Sequence, residues 1–320
     1  MQRIGVLTSG GDSSGMNAAV RAVVRKAIYH GLEVMGIKRG YSGIIEGEVM
    51  PMNLGSVADI VHRGGTMLRT ARSEEFKTPE GRRKAYENLK RFGVQGLVVI
   101  GGDGSMRGAA ALHQEYNLPI VVIPATIDND LAGTDYSIGF DTAVNCVVEA
   151  VNRIRDTATS HERTFVIEVM GRNSGYIALY AGLASGAESI IIPEIPWSVE
   201  EVCHKLKRGH QRGKLHSIII SAEGAVKGME LGEKIQACSG FETKVTVLGH
   251  VQRGGTPTSA DRILASLLGS KAVDMLMNNV TLAMVGEVNG QLQISPVDDV
   301  LNRKKTPPLE LLELVGVLSI

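Results

Sequence analysis

Short, nearly continuous apolar runs alternate with stretches of helical periodicity along most of this chain. No other feature limits its fold as tightly. The runs lie at 4–7, 33–37, 96–100, 120–123, 165–169, 189–192, 217–221 and 243–248. Runs without polar alternation read as strands buried on both faces, the signature of a parallel sheet covered by helices. Between them, 16–30 places Val20, Val23, Val24, Ala27 and Ile28 on one helical face, and 142–159, 199–212 and 259–277 behave alike. This alternation predicts an α/β protein with two Rossmann-like three-layer domains, mainly parallel sheets and a cleft between them. The 320 residues suffice for that. No Pro/Gly/Ser-rich linker, low-complexity tract or repeat marks a boundary.

Charge and cysteine content narrow the function. Lys+Arg and Asp+Glu both number 34, so no bulk attraction to nucleic acid or to an anionic membrane is expected. Anion binding must come from local clusters. The cysteines Cys146, Cys203 and Cys238 are odd in number, widely spaced and without CxxC spacing. Neither a disulfide framework nor a zinc site is suggested, and a reducing, cytoplasmic setting is expected. No signal peptide is expected before the first strand-like run, and no apolar run reaches the roughly 18 residues of a membrane helix.

In open α/β sheets, ligands bind beyond the carboxyl ends of the strands. Three motifs stand there. Thr8-Ser9-Gly10-Gly11-Asp12 follows the first run, just before a helix. Its backbone N–H groups and the helix dipole can hold a phosphate. It matches neither the Walker A pattern nor GxGxxG, and the latter absence disfavours a dinucleotide-binding dehydrogenase. Gly101-Gly102-Asp103-Gly104-Ser105 repeats the design with a carboxylate suited to Mg2+, although Asp or Ser there could equally cap the next helix. Thr126-Ile127-Asp128-Asn129-Asp130 puts two carboxylates on the turn after 120–123, where a general base or an ordinary Asp/Asn turn are both open readings. Arg163, Arg172 and Arg253 also sit beside strand ends, as expected for an anionic substrate. Glu223 and His250 could bond sugar hydroxyls.

Together with 155–163, Met170-Gly171-Arg172 and 249–255, these motifs resemble the ATP-dependent 6-phosphofructokinases of bacterial type, in that family's order from residue 8 to 255. The resemblance weakens after about residue 285. It implies transfer of the ATP γ-phosphoryl group to the 1-hydroxyl of fructose 6-phosphate, giving ADP, in a homotetramer. Asp128 would be the base, flanked by Thr126 and Asp130, with Arg172 and Gly11 completing the catalytic set. Gly11, Tyr41, Arg72, Ser73, Gly102, Asp103, Gly104, Ser105 and Gly108 would contact ATP, and Asp103 would hold Mg2+. Thr126, Ile127, Asp128, Arg163, Met170, Gly171, Arg172, Glu223, Lys244, His250 and Arg253 would bind the sugar phosphate. Arg163 and Lys244 would reach it from a neighbouring subunit. The implied large domain is 1–138 plus 252–305, and the small one 139–251 plus 306–320. An ADP or phosphoenolpyruvate effector site would draw on Arg21, Arg25, Asp59, Arg155, Gly186, Glu188, Arg212, Lys214 and His216.

The chain departs from the family at several positions. Lys244 stands for the usual Arg and loses its bidentate fork. Ser14 stands for a Pro, which should loosen the first loop. Leu54 and Leu215 replace basic residues of some members, so weakened effector control is expected. Pyrophosphate-using relatives carry Asp at the position of Gly104 and Lys at that of Ala125, so both residues here favour ATP. The remaining alternative is a catalytically silent metabolite-binding paralogue, which would be expected to have lost one of Asp103, Asp128 or Asp130.

Overall fold

The computed structural model describes residues 1–319 and divides into two compact units. The first comprises Met1–Thr126, Leu131–Thr142 and Arg253–Lys305. The second comprises Ile127–Asp130, Ala143–Gln252 and Thr306–Ile320, of which Ile320 lies outside the described residues.

The first unit contains β1 (Arg3–Ser9), α1 (Met16–Tyr29), β2 (Glu33–Ile37), α2 (Gly40–Glu46), β3 (Val49–Met52), α3 (Pro79–Arg91), β4 (Gly96–Gly101), α4 (Asp103–Tyr116) and β5 (Ile120–Pro124). The second unit takes most of α5 (Phe140–His161), then β6 (Thr164–Val169), α6 (Tyr176–Ser185), β7 (Ser189–Ile191), α7 (Val199–Gln211), β8 (Ser217–Ala222), α8 (Gly228–Ser239) and β9 (Thr243–Val247). The chain returns to the first unit with α9 (Ser259–Met277), β10 (Leu282–Val288), β11 (Gln291–Pro296) and α10 (Val297–Leu301), and ends with α11 (Glu310–Leu318) in the second.

The first sheet has the order β11-β10-β5-β4-β1-β2-β3. Its five inner strands are parallel, and the edges β3 and β11 run antiparallel to their neighbours. Strand alternation sends successive side chains to opposite faces. Ile4, Val6, Val98, Ile100, Val121 and Ile123 join one core with α1 and α9. Leu7, Leu97, Val99, Ile120 and Val122 join another with α2, α3 and α4. These strands therefore have no polar face to show. The second sheet, β7-β8-β6-β9, is wholly parallel, with Val166, Ile191 and Ile219 packed against α7 and α8.

Three strands were not foreseen. β3 carries Pro51 in a four-residue edge strand, a place that tolerates a missing N–H. β10 and β11 form a hairpin across Asn289 (φ 51°) and Gly290 (φ 75°). That Asn-Gly pair is a strong hairpin signal that the apolar-run reading passes over. In the tail, 302–320, α11 buries Val315, and Thr306 O accepts a 2.7 Å bond from the Tyr176 hydroxyl. Among the described residues, no helix is long and apolar enough to cross a membrane.

A buried carboxylate ties α9 to the start of α5 within the first unit. Asp261, 2 % exposed in the first turn of α9, accepts bonds from Gly139 N (2.7 Å), Thr142 N (2.8 Å) and Thr142 Oγ1 (2.5 Å). The charge also suits the helix N-terminus it meets. Asp261→Ala leaves buried donors unpaired and should cost about 3 kcal/mol in denaturant unfolding. Burial raises the Asp261 pKa. The native state then holds that proton more tightly than the unfolded chain. This group's stabilisation is thus fullest below the ordinary Asp range and declines as pH rises through its folded pKa. A pH series comparing wild type with Asp261→Asn reads that difference.

Candidate active site

In the first unit, β1, β4 and β5 are adjacent and parallel, so their carboxyl-terminal loops share one edge. Ala125 N bonds Gly101 O at 3.0 Å, and a Cβ on Gly102 would lie 3.6 Å from the Cβ of Thr126. The Thr126 carbonyl accepts from Ser137 Oγ at 2.6 Å. Gly10 has φ 86°, and a Cβ there would meet Ser105 Oγ at 3.2 Å. Tyr41 reaches across from α2 and donates its hydroxyl to Ser105 O at 2.5 Å. Its burial pushes the phenol pKa up, so it remains a donor. The Tyr41 ring packs against Gly108, where a Cβ would fall 2.8 Å away, and stacks on Phe76 with centroids 4.1 Å apart. Gly10, Tyr41, Ser105 and Gly108 are therefore packed together, with Gly102 against Thr126, at this Gly-rich edge.

The helix-cap reading of 101–105 is corrected here. Gly102 is the N-cap of α4, with no side-chain cap, and Asp103 is the first helical residue. Its carboxylate instead pairs with Arg107 one turn on, at 2.9 and 3.0 Å. That pair is about half exposed, hence weak. Around Gly104, a Cβ would meet nothing within 4 Å. Ser73 Oγ accepts from Phe76 N at 3.2 Å, and Arg72 is exposed on the same segment. Nearby, Thr70 Oγ1 bonds Gly10 O at 2.7 Å.

Arg253 belongs to this unit as well, at the end of the short 3-10 turn Gly249–Arg253. Its guanidinium covers Gly11, where a Cβ would lie 2.6 Å from Nη1, and stands 3.8 Å from Asp12. The expected loosening by Ser14 is not what the loop shows. Ser14 is buried, and its hydroxyl donates to Gly255 O at 2.9 Å, a tether that Pro could not make.

The second unit brings together a different set. Asp128 and Asn129 are buried, Asn129 is left-handed at φ 50°, and Asp130 is exposed. Ser174 Oγ holds the Asp128 carbonyl at 2.7 Å, and Arg172 Nε lies 3.7 Å from Asp128 Oδ2. Arg172 follows β6 in a tight turn. Gly171 has φ 135°, and a Cβ there would strike Ser174 O at 2.3 Å, so glycine is required. Arg172 itself is left-handed, φ 52°, and its N–H donates to Glu223 Oε1 at 3.0 Å. Glu223 follows β8 and stands 3.9 Å from Lys227. Met170 N donates to Gln252 Oε1 at 3.2 Å, while Gln252 Nε2 donates to Gly249 O at 2.9 Å. Met170, Gly171, Arg172, Glu223 and His250 thus lie beyond the carboxyl ends of the neighbouring strands β6, β8 and β9.

Arg163 and Lys244 do not join them. The sequence reading groups Arg163 with Arg172 at strand ends, but Arg163 precedes β6 and Arg172 follows it. Six strand residues separate them, about 20 Å at the usual rise. Lys244 lies at the amino-terminal end of β9, opposite Phe165 in the parallel register, and Arg163 precedes the first paired residue of β6, Thr164. Between them stands Glu242, which the sequence reading missed. One carboxylate oxygen is 2.9 Å from Arg163 Nε and the other 2.9 Å from Lys244 Nζ. These two cations hold the Glu242 pKa below its ordinary value.

The expected effector residues fall into two groups. Arg21 and Arg25 on α1, and Asp59 (φ 52°), lie in the first unit. Arg155 in the second bonds the carbonyls of Ser185 and Gly186, and Lys214 pairs with Glu188. Glu188 also accepts from Ile218 N at 2.5 Å. Arg212 and His216 are on the same stretch, and Leu54 and Leu215 are exposed.

No cluster of three or more His, Cys, Asp or Glu side chains suited to a metal occurs among the described residues. That does not conflict with Mg2+, which takes one or two carboxylates and completes its shell with phosphate and water. Asp103, weakly paired and at the mouth of a Gly-rich loop, fits such a role.

Comparison with known proteins gives the family. Residues 3–276 match the model of the family described as phosphofructokinase. The chain is 59% identical over 320 residues, all of both chains, to the ATP-dependent 6-phosphofructokinase of Shouchella clausii, and equally to that of Halalkalibacterium halodurans. Among solved structures, phosphofructokinase from Saccharomyces cerevisiae superposes with a TM-score of 0.90 at 39% identity, over 94% of this chain and 45% of that one. A pyrophosphate-dependent phosphofructokinase from Marinobacter aquaeolei shares the fold, with a TM-score of 0.86 at 22% identity over 97% of this chain and 86% of that one. The chain belongs to the phosphofructokinase family.

Proposed function

We propose that the chain transfers the γ-phosphoryl group of ATP to the 1-hydroxyl of fructose 6-phosphate, giving fructose 1,6-bisphosphate and ADP in glycolysis. The observation that carries this reading is end-to-end identity of 59% with ATP-dependent 6-phosphofructokinases. A coupled assay offering ATP or pyrophosphate with fructose 6-phosphate and related sugar phosphates tests it. Faster turnover with pyrophosphate, or none with fructose 6-phosphate, overturns it.

The residues divide the work by position. The backbone of Gly11 and 102–105 lies along the donor phosphates, with Tyr41 and Gly108 bracing that wall. Asp128 accepts the proton of the attacking hydroxyl. Arg172, 3.7 Å from it, neutralises charge on the transferring group. Thr126 and Asp130 flank the base and orient the substrate. Met170, Gly171, Glu223 and His250 hold the sugar. Asp103 would hold Mg2+, which would supply positive charge to offset that of the donor phosphates. The family resemblance implies that Arg163 and Lys244 reach the sugar phosphate from a neighbouring subunit of a homotetramer, and their place at the other end of their sheet is compatible with that reading. ADP or phosphoenolpyruvate would bind where Arg155 and Lys214 gather, with control weakened by Leu54 and Leu215. We read the protein as cytoplasmic.

Gly104 and Ala125 are the two residues we read as favouring ATP over pyrophosphate, and Gly104 offers the test. A Cβ there meets nothing within 4 Å, so Gly104→Asp is expected to fold and to set a negative charge against the donor phosphates. At a separation near 5 Å in a partly solvated site, that repulsion is worth about tenfold in KM for ATP. Initial rates against ATP concentration read it, and an unchanged KM removes Gly104 from the donor site.

A further inference from the structure

The second unit contains a thiol pair that the phosphoryl-transfer reading does not use. Cys203 lies on α7 and Cys238 in the last turn of α8. Their distance along the chain hides the pairing in the sequence. Three contacts run up the seam between these helices. Cys203 Sγ donates to Ile235 O at 3.9 Å, Lys207 Nζ donates to Cys238 O at 2.9 Å, and the His210 ring packs on Phe241 with centroids 4.9 Å apart. Positions 203, 207 and 210 share one face of α7, and 235 and 238 share one face of α8. Both cysteines stand on the faces that form this seam, as the contacts at Ile235 O and Cys238 O show. Cys203 is 2 % exposed, whereas Cys238 is only partly covered.

We propose that Cys203 and Cys238 form a reversible disulfide, made by exchange with a low-molecular-weight disulfide, that clasps α7 to the end of α8. Accessibility sets the order of events. Burial and the neighbouring thiol push the Cys203 pKa up to about 12, so it is the poor first nucleophile. The more accessible Cys238, as thiolate, attacks the small disulfide, forms a mixed disulfide and expels one small thiolate. Its sulfur then carries no charge, which removes its repulsion of a Cys203 thiolate, while Lys207 continues to favour that thiolate. Cys203 attacks Cys238 Sγ and expels the second small thiolate. The two cysteines lose two protons and two electrons, and the small disulfide is reduced to two thiols. The clasp lies just before Gly240 (φ 78°), after which the chain enters Glu242 and Lys244.

The test uses the folded wild-type chain with oxidised glutathione as probe, then alkylation, non-reducing digestion and peptide mass spectrometry. The expected product is a peptide pair joined through Cys203 and Cys238 that dithiothreitol separates, with Cys146 still alkylated. Cys238→Ser should give no cross-link and leave Cys203 reduced. Cys203→Ala should stop at a glutathione adduct on Cys238. If wild-type protein accumulates the Cys238 adduct with Cys203 still free, or if neither thiol reacts while the chain stays folded by circular dichroism, the proposal is overturned. None of these readouts depends on catalysis, so their failure is distinct from failure of the kinase reading.

Discussion

Asp128→Asn is expected to lower kcat by about 10²–10⁴-fold, the usual worth of a positioned general base. The substitution keeps size and shape. It also leaves in place the 2.7 Å bond by which Ser174 Oγ holds the backbone carbonyl of Asp128. KM for fructose 6-phosphate should therefore stay within a few-fold, and the loss should fall on the chemical step. A second readout separates a base from a merely structural residue. The acid limb of the kcat–pH profile, which reports protonation of the base, should disappear in the variant. An unchanged kcat would sink the assignment. A preserved acid limb on a reduced kcat would move the base to another group.

Much of this arrangement could be read from the sequence, and the failures have physical causes. The inner strands announce themselves because Leu97 and Val98, or Ile120 and Val121, enter cores on opposite faces. No polar alternation is then needed. Edge strands obey other rules. β11 shows only Ser295 buried, so it never resembles an apolar run, and its hairpin is marked by Asn289-Gly290 instead. The loops after β1, β4, β5, β6 and β8 were readable because Gly and Asp follow directly on apolar runs. What a linear reading cannot supply is which end of a sheet a residue occupies. Arg163 and Arg172 both border β6, yet one precedes and the other follows it. Nor can it show what faces a charge. Glu242 shares its two oxygens between Arg163 and Lys244, although Arg163 is far off in the chain. The Cys203–Cys238 seam is hidden for the same reason: packing of α7 on α8 creates it, not spacing.

Arg172 is the second position where a large effect is expected. Arg172→Leu should reduce kcat by about 10²–10³-fold, the range seen when one donor to developing transition-state charge is removed. The backbone gives no reason for the fold to suffer. Arg172 already occupies the left-handed region at φ 52°, Leu meets the same modest penalty, and the bond from its N–H to Glu223 Oε1 needs no side chain. Arg172→Lys restores the charge without the planar fork, so it should recover part of the loss and leave the rest as the worth of geometry. The guanidinium also stands 3.7 Å from Asp128 Oδ2, so the proposed base and the proposed cation would act on the same reaction coordinate. Their effects should not add. In the double variant, kcat should fall little below that of Asp128→Asn alone, since a site that cannot deprotonate its acceptor has less developing charge to neutralise. Full additivity in kcat would mean that Arg172 acts independently of proton removal at Asp128, whereas a higher KM at constant kcat in Arg172→Leu would move Arg172 to ground-state binding.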